Sequence, residues 1–300
     1  MEKAVKLYDI IEFLKQQCFE YEIIGNVCDI SIEGFSSLTN YKTGTITWVK
    51  NEKNWLDDRE EVTLCVVQRG IQIPCALQIV SNDSKAIFFS ILEHFWGKMN
   101  NQRDRVGKYT YIGPDVVLGD NVCIGNNCSI TGRVTIGNDT IIADNVVIQN
   151  KVKIGERCQI QSLTVIGEDG FGCSEDENHK KKMVKHYGGV VIGDDVFIGS
   201  HVNIACGTID DTCIQSGVKI APSTHIGHNN QIGEDSVVIC SQLYGSVQLA
   251  ENAYVVGSII RNQCSIGTGT MIGMGTVVTK DIEAGKLAIG IPAKVIKDNK

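Results

Sequence analysis

The sequence predicts a mainly β protein, a parallel β-helix of hexapeptide repeats preceded by a small α+β domain. Three observations carry this reading. From residue 112 an aliphatic side chain returns every six positions, Gly and Asn punctuate the intervals, and the first hundred residues lack that period altogether.

The chain opens with helical spacing at Leu7, Ile10, Ile11 and Leu14. Short strand-like runs follow, "EIIGN", "GTITWVK", "TLCVVQ" and "ALQIV", and a second helix, "SKAIFFSILEHFW", closes the segment. Residues 1–105 are therefore expected to form one small domain, ending in the polar stretch "GKMNNQRDRVGK".

The rod is expected over 106–282. Its first place holds Ile112, Leu118, Ile124, Ile130, Ile136, Ile142, Ile148, Ile154, Ile160 and Ile166, and Gly fills the second place in six of these ten. A period of six fits neither a helix nor an alternating strand. It fits short strands joined by tight turns, with one side chain per segment entering a narrow core. The pattern breaks at 168–189, "EDGFGCSEDENHKKKMVKHYGG", then resumes with Ile192, Ile198 and Ile204 and runs with small slips to Val278. The interruption reads as a loop expelled from the rod, a usual place for binding residues. Residues 283–300 are expected to cap the end through Leu287, Ile289, Ile291 and Val295.

Composition narrows the function. A net charge of −7 argues against nucleic acid as a partner. No stretch of eighteen apolar residues is present to span a membrane, and the charged amphipathic start is unlike a signal peptide, which together suggest a cytoplasmic protein. The twelve cysteines include no C-x-x-C pair and many lie beside aliphatic residues, so they read as small core hydrophobes rather than zinc ligands or disulfides. His201, His225 and His228 could be imagined as a metal site, but their spacing does not support one and no metal is expected.

The segments "DGFG" at 169–172, "VVIGDDVFIGSHVNIACGTIDDT" and "IGHN" at 226–229 resemble the left-handed β-helix acyltransferases, and in particular the UDP-3-O-acylglucosamine N-acyltransferases of lipid A synthesis. The resemblance covers residues 5 to about 275 and implies a homotrimer with active sites between subunits. It makes His228 the catalytic base and Gly245 in "LYGS" an oxyanion-facing glycine, although an ordinary turn glycine would also suit that place. It implies a nucleotide-binding front domain, with Trp48 of "GTITW" as the base platform, Asn51 as its polar contact and Trp55 as a nearby second aromatic. Phe171, Gly172, His225 and Asn229 are the remaining substrate-side candidates, with His225 either structural or orienting His228. The chain departs from the family at Ala205 and Cys206, where the family has an acidic–Arg pair, and at Gln263 in place of a second histidine. Its ending, "GIPAKVIK", is similar to acetyl-CoA-dependent sugar acetyltransferases and places Lys294 near the coenzyme A tail.

Histidine suits proton removal from an amine because its ordinary pKa, about 6.5, lies near working pH. An exposed Trp suits base stacking, worth roughly 1–3 kcal/mol. The lysines of the expelled loop, Lys180 to Lys182 and Lys185, read as a solvated face or as phosphate contacts. The sequence therefore predicts an N-acyltransferase acting on a nucleotide-linked amino sugar, uridine- or thymidine-linked, with acetyl-CoA as donor and no permanently bound cofactor. One rival is the lipid A N-acyltransferase proper, using acyl carrier protein. The other is a non-catalytic trimeric scaffold, which would have no use for His228 and the front-domain aromatics together.

Overall fold

The computed structural model describes residues 4–26, 29–52, 62–75, 77–97 and 105–299. The chain divides into two compact units, Met1–Asn101 and Gln102–Lys300.

In the first unit, β1 (Val5–Lys6) leads into α1 (Leu7–Gln16), followed by β2 (Glu22–Ile24), β3 (Ser31–Ile32) and β4 (Gly34–Phe35). Then come β5 (Thr45–Val49), β6 (Leu64–Gln68), β7 (Gln78–Ser81) and α2 (Ser84–Trp96). The sheet order is β2-β7-β6-β5-β4, with β4 to β7 parallel and β2 antiparallel at the edge. The helix stripe read from sequence is the buried one: Leu7, Ile10, Ile11 and Leu14 join Ile87 and Ile91 of α2 over Ile46, Leu64 and Ile79 of the sheet. β6 is buried along most of its length, which matches its unbroken apolar run "LCVV".

The second unit is a left-handed parallel β-helix of three sheets with ten, nine and eight strands. Each first-place aliphatic stacks on its equivalent one turn along. Ile124, Ile142, Ile160, Ile198 and Ile220 form one column, Ile130, Ile148, Ile166, Ile204 and Ile226 a second, and Ile136, Ile154, Ile192, Ile214 and Ile232 the third. All are essentially excluded from water, so the rod's core consists of three aliphatic columns.

A second set of small residues fills the corners, and it explains several cysteines. Thr140 and Thr164 are buried there and donate to the Gly155 and Gly199 carbonyls at 2.9 and 2.8 Å. Cys128 and Cys158 hold equivalent places and direct their thiols at the Ala143 and Gly193 carbonyls, both at 3.1 Å. Burial pushes both thiols up from their ordinary value. The tight turns need left-handed backbone, found at Asn121, Asn127, Asn145, Asp195 and Asn229 among others, residue types that tolerate it. His201 is one of these turn residues, with φ 56°.

The excursion at 168–189 leaves after Val165–Glu168, forms a small hairpin of Cys173–Glu175 with Lys181–Met183, and rejoins the rod at Val190–Ile192 with its phase intact. At its foot Asp211 accepts from Lys151 Nζ at 2.9 Å and from the Gly189 N–H at 2.7 Å.

The ending differs from the expected cap in its inward residue. Lys286–Ile289 extends the ten-stranded sheet with Ala288 opposite Ile272, so alternation turns Ala288 inward, fully buried. Ile289, Ile291 and Val295 are exposed, and Lys294–Asp298 adds an outer antiparallel strand.

Candidate active site

The third places after one sheet align along one corner of the rod as Cys206, His228 and Gly245, following Ile204, Ile226 and Leu243, which lie in one register, while a register shift after Ile166 sets Glu168 opposite Ala205. At the other two corners third-place side chains form a ladder that accepts backbone N–H groups from the turn before. Asn126 N–H donates to Asp144 at 2.6 Å, Glu156 to Asp194 at 2.8 Å and Asp194 to Ser216 at 3.0 Å. Gly245 has no such side chain, and the space is filled by the His228 ring. A Cβ built on Gly245 would lie 2.5 Å from both Cε1 and Nε2 of His228. Among the described residues the Gly245 N–H makes no hydrogen bond, while its carbonyl accepts from Gln263 at 2.9 Å.

The protonation pattern of His228 follows from its neighbour. Asn229 Oδ1 accepts the Thr208 backbone N–H at 3.1 Å, which fixes that atom as oxygen. It also accepts the Thr208 hydroxyl at 2.7 Å. His228 Nδ1, 2.9 Å from the same oxygen, must therefore donate. The neutral ring then carries its lone pair on Nε2, the atom beside Gly245, and can take a proton there. Asn229 is itself held by its N–H to Thr212 Oγ1 at 2.9 Å and its Nδ2 to the Asp210 carbonyl at 3.2 Å. The small loop at 207–211 thus orients the His228 ring through Asn229.

The excursion brings a second histidine that the sequence reading did not select. His186 is buried, and its ring meets His228 edge to face with centroids 5.2 Å apart. Gly170 is wedged between them, because a Cβ there would lie 2.9 Å from His186 Nε2 and 2.9 Å from His228 Cβ. One signal was available: His186 precedes Ile192 by six positions, so it returns to the first place of the repeat.

Other candidates fall around this centre or away from it. Gly172 lies farther out, where an added Cβ would make only ordinary contacts at 3.9 Å, and Phe171 beside it is 81% exposed. Cys206 directs its thiol toward Asp169 Oδ1 at 3.8 Å. Burial first, and that carboxylate second, push the thiol up to about 11, so it stands protonated and is no nucleophile at neutral pH. His225 sits half-buried on the outer face of the sheet between Asn203 and Gln242, and burial lowers its pKa. Lys294 is exposed at the start of the last strand. The described residues contain no group of three His, Cys, Asp or Glu arranged to hold a metal.

In the first unit, Trp48 and Thr47 line a cavity of about 710 Å³, with Phe35, Phe88, Phe89 and Leu92 as apolar walls. Trp48 lies parallel to Phe88 and donates from Nε1 to Ser84 Oγ at 3.0 Å. Among the described residues the buried Thr47 Oγ1 has no partner, leaving a polar handle in an aromatic cavity. Asn51 follows β5 and is exposed outside this lining, and Trp55 lies outside the described residues.

Comparison with known proteins bears on the whole arrangement. A family model described as the GMPPB C-terminal domain matches residues 99–171. LpxA from Acinetobacter baumannii superposes with a TM-score of 0.58 at 27% identity, covering 64% of this chain and 74% of that one. LpxA from Bacteroides fragilis, a UDP-N-acetylglucosamine acyltransferase, gives 0.57 at 26%, over 63% and 73%. UDP-3-O-acylglucosamine N-acyltransferase of Campylobacter lari is 33% identical over 90% of this chain and 89% of its own length. The enzyme of that name from Campylobacter jejuni subsp. doylei is 33% identical over 98% and 95%. Likeness of that depth runs through both units, so the protein is an acyltransferase and the chain belongs to the UDP-3-O-acylglucosamine N-acyltransferase family.

Proposed function

We propose that the protein transfers an acyl group from a thioester to the amine of a UDP-linked, 3-O-acylated glucosamine-type sugar, a step of lipid A synthesis. The observation that carries this is the His228 tautomer: Nδ1 donates to Asn229, leaving Nε2 free to accept. In the reaction the neutral amine attacks the thioester carbonyl. His228 Nε2 takes the proton that the nitrogen sheds and passes it to the departing thiolate. The Gly245 N–H donates to the oxyanion of the tetrahedral intermediate. The aromatic cavity of the first unit takes the uracil, with Trp48 as a wall and Thr47 Oγ1 as a polar contact. His225, Phe171 and Gly172 border the sugar side, and the working form is a homotrimer.

The relatives named UDP-3-O-acylglucosamine N-acyltransferase support the lipid A reaction, for which the resemblance implies an acyl carrier protein donor, over acetyl-CoA, reversing the order expected from the ending alone. The acetyl-CoA reading keeps one support: the segment whose sequence resembles sugar acetyltransferases forms a β-hairpin over residues 286–298 that carries Lys294. The test offers purified protein a UDP-3-O-acylglucosamine with either 3-hydroxyacyl carrier protein or acetyl-CoA, and reads the product by mass spectrometry. Turnover with the carrier is expected. Turnover with acetyl-CoA alone selects the second reading, and no amide from either donor defeats both.

A further inference from the structure

His186 is a histidine for which the reaction above assigns no task. It is 5% exposed, yet among the described residues its Nε2 has no hydrogen-bond partner. Its Nδ1 lies 3.1 Å from the Val184 carbonyl, which can only accept, so Nδ1 carries the proton and Nε2 a lone pair. A buried acceptor without a donor is unfavourable and calls for a reason. The edge bearing this lone pair is turned toward Gly170, on whose other side lies the His228 side chain.

We propose that His186 is a positioning residue for the acyl transfer: its buried Nε2 lone pair stabilises the imidazolium that His228 becomes on accepting the amine's proton. The proposal rests on His228 as the base. While His228 is neutral, the lone pair gains little from the neighbouring ring. When His228 gains a proton, the cation lies beside a buried ring whose centroid is 5.2 Å away and whose lone pair no described donor satisfies, and the interaction is stronger there than in bulk water. The pairing therefore favours the charged state that forms during turnover, which is how a residue raises kcat without tightening substrate binding. Other titratable groups lie around His228. Glu168 and Asp169 come from the start of the excursion, Cys206 and Asp210 from the preceding turn, and Tyr244 from the following one. Only His186 touches the His228 ring among the described aromatic contacts.

The test compares wild type, His186→Leu, which removes the lone pair at similar volume, and His186→Gln, which restores an acceptor. Removing a group that stabilises imidazolium makes His228 less basic. In His186→Leu the acid limb of the kcat/KM profile should move down by roughly half to one pH unit. Its kcat should fall about tenfold near pH 7, with KM for the UDP-sugar little changed. His186→Gln should recover most of both. An NMR titration of the His228 ring in the three proteins reads the same shift without turnover. That separates failure of this idea from failure of the assigned reaction. A His228 titration unmoved in His186→Leu overturns the proposal. So does a kcat loss that His186→Gln fails to rescue, because that is the mark of a merely structural residue.

Discussion

Gly245→Ala tests the active-site geometry with a single methyl group. The added Cβ would start 2.5 Å from Cε1 and Nε2 of His228, whereas ordinary contacts begin near 3.4 Å, so the ring must retreat by about 0.9 Å (3.4 − 2.5). The backbone at 245 does not have the positive φ that would penalise alanine, and the position faces outward, so the rod should fold and melt as before. The ring has one easy response, rotation about its side-chain bonds, which carries Nδ1 away from Asn229 and Nε2 away from the amine. A misplacement of about 1 Å costs on the order of 10²-fold, and complete loss of the base costs about 10²–10⁴-fold. Steady-state kinetics should therefore show kcat down by at least about 10², with KM for the UDP-sugar nearly unchanged. Gly113→Ala, in the first turn of the rod and outside the proposed site, is the control, because its Cβ would meet no neighbour nearer than 3.4 Å. A Gly245→Ala enzyme within threefold of wild type would mean that the ring's place beside Gly245 is immaterial to the chemistry.

His228→Ala should lower kcat by about 10²–10⁴-fold with His228→Asn no better, while His225→Ala costs far less; near-normal kcat across pH 6–8 would reduce His228 to a substrate contact. Trp48→Ala should weaken UDP binding by roughly ten- to hundredfold in calorimetry, following the stacking contribution, and an unchanged Kd would return Trp48 to the packing of α2. Burial opposes the charge of Asp211, but the Lys151 ammonium and the Gly189 N–H outweigh it and hold the carboxyl below its usual value. The link it provides at the excursion's foot is thus fully present above the ordinary carboxylate pKa, about 3.9, and is lost as pH falls through the depressed one. Exchange of the Gly189 amide followed down to pH 3 should stay slow near pH 4 in wild type and be fast throughout in Asp211→Ala, which removes the acceptor.

The rod was legible because a period of six makes every turn repeat its predecessor. Once Ile124, Ile142 and Ile160 are seen to share a phase, their stacking follows, and the excursion shows itself by returning to the same phase at Ile192. The slip before Leu243 even places Gly245 one turn beyond His228. The period says nothing about residues expelled from it. His186 lies 42 positions before His228 (228 − 186), and only the path of the excursion brings the two rings together. The ending misled for a related reason: strand alternation, rather than hydrophobicity, decided that small Ala288 points inward and Ile289 does not. The front-domain aromatics gave their strand correctly, but the cavity beside Trp48 is built by α2, whose Phe88 and Phe89 no local motif connects to a nucleotide.

The three corners of the rod divide the labour between stability and chemistry. Two of them carry stretches of a ladder of third-place side chains, in which one turn's N–H is satisfied by the next turn's oxygen. A bond of that kind contributes about 0.5–1.5 kcal/mol, and its repetition makes those edges regular and chemically quiet. The third corner has Cys206, His228 and Gly245 at those places, and both interruptions of the rod, 168–189 and 207–211, emerge there. A side chain at 245 would close the space for the imidazole and leave less room at the N–H that the proposed mechanism gives to the oxyanion. Catalysis and the ladder thus compete for the same space, so a site of this chemistry has to sit where the repeat is given up. The interruptions supply what the ladder no longer does, with Asn229 fixing the tautomer through the 207–211 loop and His186 arriving from the excursion.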